Sequence, residues 1–180
     1  MTDVVRVCVV CAGNICRSPM AEAVLRAKLA RAGLGDRVTV DSAGTGNWHS
    51  GQPAHVRSTA ALRRRGYHLD HSARQFAPGW FGERDLVLAL DAANLSDLVR
   101  LAPGDLPAGR LRMLCVDGPD AHGGTDVPDP YGLDDSAYDH ALDLIERACD
   151  ELVAELVTQL GTQLVMDSER GAARAPTGEH

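Results

Sequence analysis

No stretch of this 180-residue chain is apolar enough for long enough to cross a bilayer, which argues against a membrane partner. The first apolar run is too short for the hydrophobic region of a signal peptide and is flanked by Asp3 and Arg6. The cytoplasm is therefore the expected compartment, with secretion by a route that needs no classical signal peptide left open. Cysteine is sparse and odd in number, five in all, with Cys8, Cys11 and Cys16 crowded near the start and Cys115 and Cys149 far away. That distribution argues against a disulfide scaffold, and no Cys/His spacing resembles a zinc site, so neither a metal nor a cofactor is expected. Lysine is nearly missing: Lys28 stands alone, and arginine supplies the remaining basic charge. The formal charge of −7 disfavours nucleic acid as a partner, although a local positive field can still hold a phosphate. No break in composition divides the chain, and its apolar and charged fractions, 44% and 24%, are those of one ordinary globular domain, expected to be a monomer.

What is present alternates between short apolar runs and amphipathic stretches. Val4–Val10 reads as a strand, Pro19–Ala32 as a helix stopped at Gly33, and Val38–Asp41 as a second strand. A helix over Ala54–Arg65 is closed by Gly66. Leu86–Leu90 is a third strand, after which Asp91 caps a helix over Ala92–Leu101. Leu111–Val116 is a fourth strand and Ala137–Leu160 a long amphipathic helix. The pattern predicts an α/β fold: a four-stranded parallel sheet with helices on both faces and a phosphate-binding loop after strand one. The domain is expected over residues 1–162, followed by a disordered tail, 163–180, whose last part is small, polar and glycine-rich.

The segment that carries chemistry is Cys11-Ala12-Gly13-Asn14-Ile15-Cys16-Arg17-Ser18-Pro19, set between the first strand and the first helix. Gly13 permits unusual backbone angles and Asn14 tolerates the left-handed region. Successive N–H groups of such a loop, joined by those of the helix start, can converge into an anion cradle. Cys11 would lie at its base, where the cradle favours a thiolate, and Arg17 would clamp an oxyanion with its planar fork. Ser18 is within local reach of the Cys11 sulfur. A thiolate so placed can attack phosphorus, while Arg17 and the loop amides hold the equatorial oxygens.

Cys11 to Glu22 reads Cys-x-Gly-Asn-x-Cys-Arg-Ser-Pro-Met-Ala-Glu, and here the chain resembles the low-molecular-weight protein tyrosine phosphatases over roughly residues 4 to 160. The resemblance implies hydrolysis of phosphotyrosine in proteins through a cysteinyl-phosphate, with inorganic phosphate as product. It also implies a general acid and base at Asp129, in the stiff turn Val127-Pro128-Asp129-Pro130-Tyr131. Taken alone, Asp129 reads rather as a cap of the helix or turn that follows, and Asp126 reads as a solvated turn residue. The resemblance makes Ser42 a brace for Asn14. It places a bulky specificity residue at Trp48 in the glycine-rich stretch Asp41–His49, with Tyr131 as the opposite wall; a surface anchor is the other reading of Trp48. It further implies a reversible disulfide between Cys16 and Cys11 that protects the nucleophile from oxidation. Many relatives carry a second aromatic where Gly132 stands, which implies either a more open slot or a more mobile loop.

Two relatives of the same fold set the alternatives. Arsenate reductases need further cysteines on a mobile segment, and none lies between Cys16 and Cys115. Arginine-phosphate hydrolases tend to carry Thr at the position of Ile15, so Ile15 favours phosphotyrosine. A phosphate-binding module without catalysis would not need Cys11, Arg17, Ser18 and Asp129 together. His71, in Asp70–Arg74, reads as a hydrogen-bonded structural histidine.

Overall fold

A computed structural model describes residues 4–115 and 126–173 of the chain, with side chains described as far as residue 162. Four strands, β1 (Val5–Cys11), β2 (Val38–Gly44), β3 (Leu86–Ala89) and β4 (Leu111–Met113), form one sheet in the order β2-β1-β3-β4. All three pairings are parallel, β1 running against β2 from Val5↔Val38 to Cys11↔Gly44 and against β3 from Val7↔Leu86 to Val10↔Ala89. Parallel strands need crossovers, and four helices supply them: α1 (Arg17–Arg31), α2 (Val56–Arg64), α3 (Ala92–Leu101) and α4 (Asp135–Ala173).

The alternation of β1 side chains divides the core. Val7, Val9 and Cys11 face a cluster that includes Met20, Val24 and Leu25 of α1, Leu62 of α2, and Tyr138, Leu142 and Ile145 of α4. Cys8 and Val10 face the other way, toward Phe76, Phe81 and Leu98. Both faces of the central strand are therefore covered, which is why β1 is apolar throughout rather than alternating.

Differences from expectation have local causes. β1 and β2 run on to Cys11 and Gly44 because these two residues pair with one another. β4 ends at Met113, and Val116 lies outside the described residues. A 3-10 turn at Pro78–Gly82, which the sequence pattern did not suggest, carries the buried Phe81. α1 begins at Arg17, so Pro19 is its third residue, still within the turn whose N–H groups have no intrahelical partner. α4 starts at Asp135 because Asp134 accepts from the Ala137 N–H at 3.2 Å, and the Ser136 hydroxyl, also bonded to it, holds its carboxyl below the ordinary range. The largest difference is at the other end: α4 continues to Ala173, past the Leu160 that the amphipathic pattern predicts. Gly161 and Gly171 each cost a helix about 1 kcal/mol relative to alanine, too little to stop one that is already propagating. Residues 174–180 of the expected tail lie outside the described residues.

Sheet order also fixes the location of the site. The connections from β1 and from β3 leave in opposite directions along the sheet, opening a crevice at the carboxyl ends of these two neighbours. Cys11 ends β1 there, and Asp91 follows β3 on the other lip.

Candidate active site

Carbonyl directions show how the loop after β1 is turned. The Cys11 carbonyl accepts from the Thr45 N–H at 2.8 Å, Ala12 from Gly46 at 2.9 Å and Ile15 from His55 at 2.7 Å. The Asn14 carbonyl meets His71 Nε2 at 2.7 Å. These carbonyls point outward to neighbouring segments. Across a planar trans peptide the following N–H points the opposite way, so the amides of Ala12, Gly13, Ile15 and Cys16 face inward. Cys16 occupies the N-cap position of α1 without a side-chain cap bond, leaving the helix-start amides available to an anion as well.

Asn14 is the keystone of this turn. Its φ of 54° is the left-handed value expected for it. Its Nδ2 donates to Ser18 Oγ at 2.8 Å and Ser42 Oγ at 2.9 Å, and its Oδ1 accepts from the Arg74 N–H at 2.9 Å. Ser42 donates onward to Glu22 Oε2 at 2.6 Å, and Arg26 pairs with Glu22 at 2.7 Å. Ser42 thus lies against Asn14 as expected, while Glu22 and Arg74 were not anticipated. His71 is the structural histidine that its sequence context suggested. At Gly44 an added Cβ would lie 2.6 Å from the Ala12 carbonyl oxygen, so only glycine lets β2 approach the loop this closely.

Cys11 is buried, its Sγ 3.1 Å from Ser18 Oγ. The single Ser18 proton has a second acceptor in the Ala43 carbonyl at 3.2 Å, so a charged sulfur can recruit it. Burial pushes the Cys16 thiol up to about 11, with the Tyr138 hydroxyl, 3.8 Å from its sulfur, pulling the other way.

Arg17 is 2% exposed, yet it remains charged. Burial alone would lower its pKa; the Cys11 sulfur, Asp91 and Asp129 outweigh that and raise it. Nη1 donates to Asp91 Oδ2 at 2.5 Å and to the Val127 carbonyl at 3.0 Å, and Nη2 donates to Asp129 Oδ2 at 2.8 Å. Its Nε is buried and has no hydrogen-bond partner among the described residues, leaving a spare donor in the site. Asp91 does more than the capping that its sequence context predicts. It does cap α3, accepting from the Asn94 N–H at 2.6 Å, but its other oxygen aims Arg17. Its place after β3, at the crevice, was the available signal. Asp126 is exposed to solvent and also accepts from the Ala92 N–H at 2.9 Å.

Asp129 makes two contacts with its two oxygens. Oδ1 accepts from the Tyr131 N–H at 3.2 Å, closing the turn, while Oδ2 reaches Arg17. The carboxylate is half exposed, open to a substrate. Tyr131 and Gly132 are the central residues of a β-turn in which the Leu133 N–H bonds the Pro130 carbonyl at 3.0 Å and Gly132 has φ 79°. A second aromatic at that position would be strained, so glycine here serves the turn.

Residues 11–13 and 15–17 of the loop, with Trp48, His49, Asp129 and Tyr131, line a cleft of about 230 Å³. Cys11, Arg17, Asp129, Ile15, Trp48 and Tyr131 are all brought to it. Trp48 is largely exposed, folding over Gly46, where a Cβ would collide with its ring. His49 was missed by sequence reasoning; its ring lies over Gly13, with an added Cβ there only 2.9 Å from His49 Cδ2, and stands 6.0 Å from the Tyr131 ring. Among the described residues no cluster of potential ligands could hold a metal ion. None of their helices is long and apolar enough to cross a membrane.

A buried thiol at the carboxyl end of a parallel strand, under inward amides and beside a clamped guanidinium, defines a class: α/β enzymes that carry phosphate on cysteine. Within that class, the chain belongs to the family of low molecular weight phosphotyrosine protein phosphatases, whose profile matches residues 6–162, and it is a hydrolase. It is 51% identical over 156 residues to a low molecular weight protein-tyrosine-phosphatase of Streptomyces coelicolor, covering 86% of this chain and 95% of that one. The crystal structure of YfkJ from Bacillus subtilis superposes with TM-score 0.79 at 35% identity, covering 87% of this chain and 97% of that one. An arginine phosphatase from Drosophila superposes with TM-score 0.75 at 28% identity, covering 83% of this chain and 96% of that one.

Proposed function

We propose that this chain removes phosphate from phosphotyrosine in proteins, with Cys11 as nucleophile, Arg17 as phosphate clamp and Asp129 as acid and base. The observation that carries the reading is the convergence of Cys11 Sγ, the spare Arg17 Nε and the Asp129 carboxyl on one cleft with aromatic walls. The phosphoryl dianion takes the loop amides and Arg17 Nε, and its arrival competes for the Nη2 now held by Asp129. The Cys11 sulfur attacks phosphorus; the P–S bond forms as the ester P–O bond breaks, and protonated Asp129 gives its proton to the departing phenolic oxygen. The Asp129 carboxylate then takes a proton from water, which attacks phosphorus and expels the thiolate while Ser18 donates to the sulfur. Inorganic phosphate leaves. Ala12, Gly13, Asn14, Ile15, Cys16 and Ser18 support the phosphate, Ser42 holds Asn14, and Trp48, Tyr131 and Ile15 select an aromatic ester. No metal or cofactor enters this scheme.

Similarity to an arginine phosphatase favours phosphoarginine as the second reading. Ile15 argues against it, because it gives the cleft an apolar floor, suited to an aromatic ring more than to a guanidinium. Reduction of arsenate finds less support: Cys115 and Cys149 do not line the cleft, and burial pushes both thiols up, Cys115 to about 11. Matched phosphotyrosyl, phosphoseryl and phosphoarginyl peptides assayed with a chelator present separate these readings. The expected result is rapid metal-independent hydrolysis of the first alone; a preference for phosphoarginine would refute the assignment.

The catalytic unit is taken as residues 1–162, acting as a cytoplasmic monomer. Cys16 is assigned the protection of Cys11: peroxide oxidises Cys11 to a sulfenic acid, and the Cys16 thiol condenses with it, releasing water and leaving a disulfide. Peptide mapping after peroxide should find the Cys11–Cys16 bond and recovery of activity with a thiol. Sulfinic Cys11 beside free Cys16 would remove that role.

A further inference from the structure

Four large apolar side chains near the cleft are exposed to more than half their surface: Trp48 (68%), Val56 (75%), Tyr131 (58%) and Leu133 (53%). Trp48 and Tyr131 line the cleft, whereas Val56 and Leu133 lie outside it. Contacts on either side of Val56 bring the start of α2 against the turn that carries Leu133. The His55 ring stands edge-on to Tyr131 at 5.9 Å, and Arg57 Nη1 donates to the Leu133 carbonyl. The turn closed at Gly132 holds Tyr131 and Leu133 in one rigid unit. These contacts set the exposed side chains of Val56 and Leu133 on adjoining segments beside the Tyr131 wall, an apolar strip on the rim of the cleft.

Charges beside this strip are engaged with one another. Arg57 Nε pairs with Asp135 at 3.2 Å, and Asp134 is occupied by Ser136 and the Ala137 N–H. What the strip offers a partner is hydrocarbon rather than free charge. The cleft, at about 230 Å³, accommodates a phosphorylated ring and little else, so the residues flanking that ring must cross the rim. Because Leu133 shares the Tyr131 turn and Val56 neighbours it on α2, one flank of a segment seated in the cleft would meet them on leaving the rim.

We propose that Val56 and Leu133 form a docking strip for an apolar side chain adjacent to the phosphotyrosine of a substrate protein, an inference that rests on the phosphotyrosine reading above. Exposed apolar surface of this kind gains binding by leaving water, and it acts on substrate affinity rather than on the chemical step.

The test compares two neutral phosphotyrosyl peptides that differ only in Leu or Ser beside the phosphotyrosine, together with p-nitrophenyl phosphate, which has no flank. Wild type should prefer the Leu peptide by roughly fivefold to tenfold in kcat/KM, through KM, as expected for a partly covered apolar contact. In the Val56→Ser/Leu133→Ser double variant that preference should fall to about twofold or less, with kcat and p-nitrophenyl phosphate turnover unchanged. Equal rates for the two peptides in wild type, or a preference that survives in the variant, would overturn the docking strip. So would a proportional loss on p-nitrophenyl phosphate, which would mark a general structural role. Self-association of wild type that the double variant abolishes, without peptide discrimination, would make a second copy the occupant and overturn it too. If wild type hydrolyses p-nitrophenyl phosphate but neither peptide, the phosphotyrosine reading itself fails, a result distinct from all of these.

Discussion

Cys11→Ser is expected to leave a folded protein that still binds phosphate but turns over phosphotyrosine at least about 10⁴-fold more slowly. The side chain is buried beneath the loop, and serine differs from cysteine there by one atom, so the packing around Val9 and Met20 survives. Backbone amides of Ala12, Gly13, Ile15 and Cys16 are untouched by the change, as is Arg17, so the anion site persists. What disappears is the nucleophile: a serine hydroxyl has no general base at hand, and the one adjacent side-chain oxygen, on Ser18, already serves Asn14 and Ala43. Thermal melting with and without phosphate should therefore show an intact cradle in an inactive protein. Activity comparable to wild type would remove Cys11 from the mechanism; a failure to be stabilised by phosphate would locate the anion elsewhere.

Asp129→Ala should lower kcat on phosphotyrosine by about 10²- to 10⁴-fold, the usual span for loss of a positioned acid. The effect should be far smaller on the first step with p-nitrophenyl phosphate, whose leaving group departs without a proton. KM should change little or fall, because Arg17 Nη2 loses the carboxylate with which the incoming phosphate competes. Asp129 is half exposed and touches the rest of the molecule through the Tyr131 N–H and Arg17, so stability should be nearly unaffected. Equal losses on both substrates in the first step, read as release of the phenol within the first turnover, would show that Asp129 supports the phosphate loop rather than protonating the leaving group. Asp126, engaged with the Ala92 N–H, should give no such pattern when replaced.

The order of elements, the parallel sheet and the phosphate loop could be read from the chain because each depends on local pattern. Apolar β1, covered on both faces, announces itself as a continuous run, and Asn14 and Gly13 mark a turn that ordinary residues resist. The cleft could be read only in part, because its remaining members meet across long sequence separations. Asp91 pairs with Arg17 from the far lip of the crevice, and Glu22 reaches Asn14 through Ser42. His49 enters by folding over Gly13. No periodicity encodes those meetings; sheet order does, by placing β3 beside β1. Gly132 shows the converse, where comparison with an aromatic suggested slack and the backbone angle reveals a turn that requires glycine. The end of α4 lies beyond Leu160 for a thermodynamic reason: a polar composition lowers the expectation of packing but does not halt a helix once begun.

The central claim is that phosphate passes through the Cys11 sulfur, and trapping it there is the most direct test. Asp129→Ala, mixed with p-nitrophenyl phosphate and quenched within the first turnover, should accumulate the intermediate because water then lacks its base. Peptide mapping under conditions that spare thiophosphate should place one phosphoryl group on the peptide carrying Cys11, absent from Cys11→Ser. A phosphoryl group on any other residue, or phosphate released in a burst with no labelled protein at any time, would contradict the account.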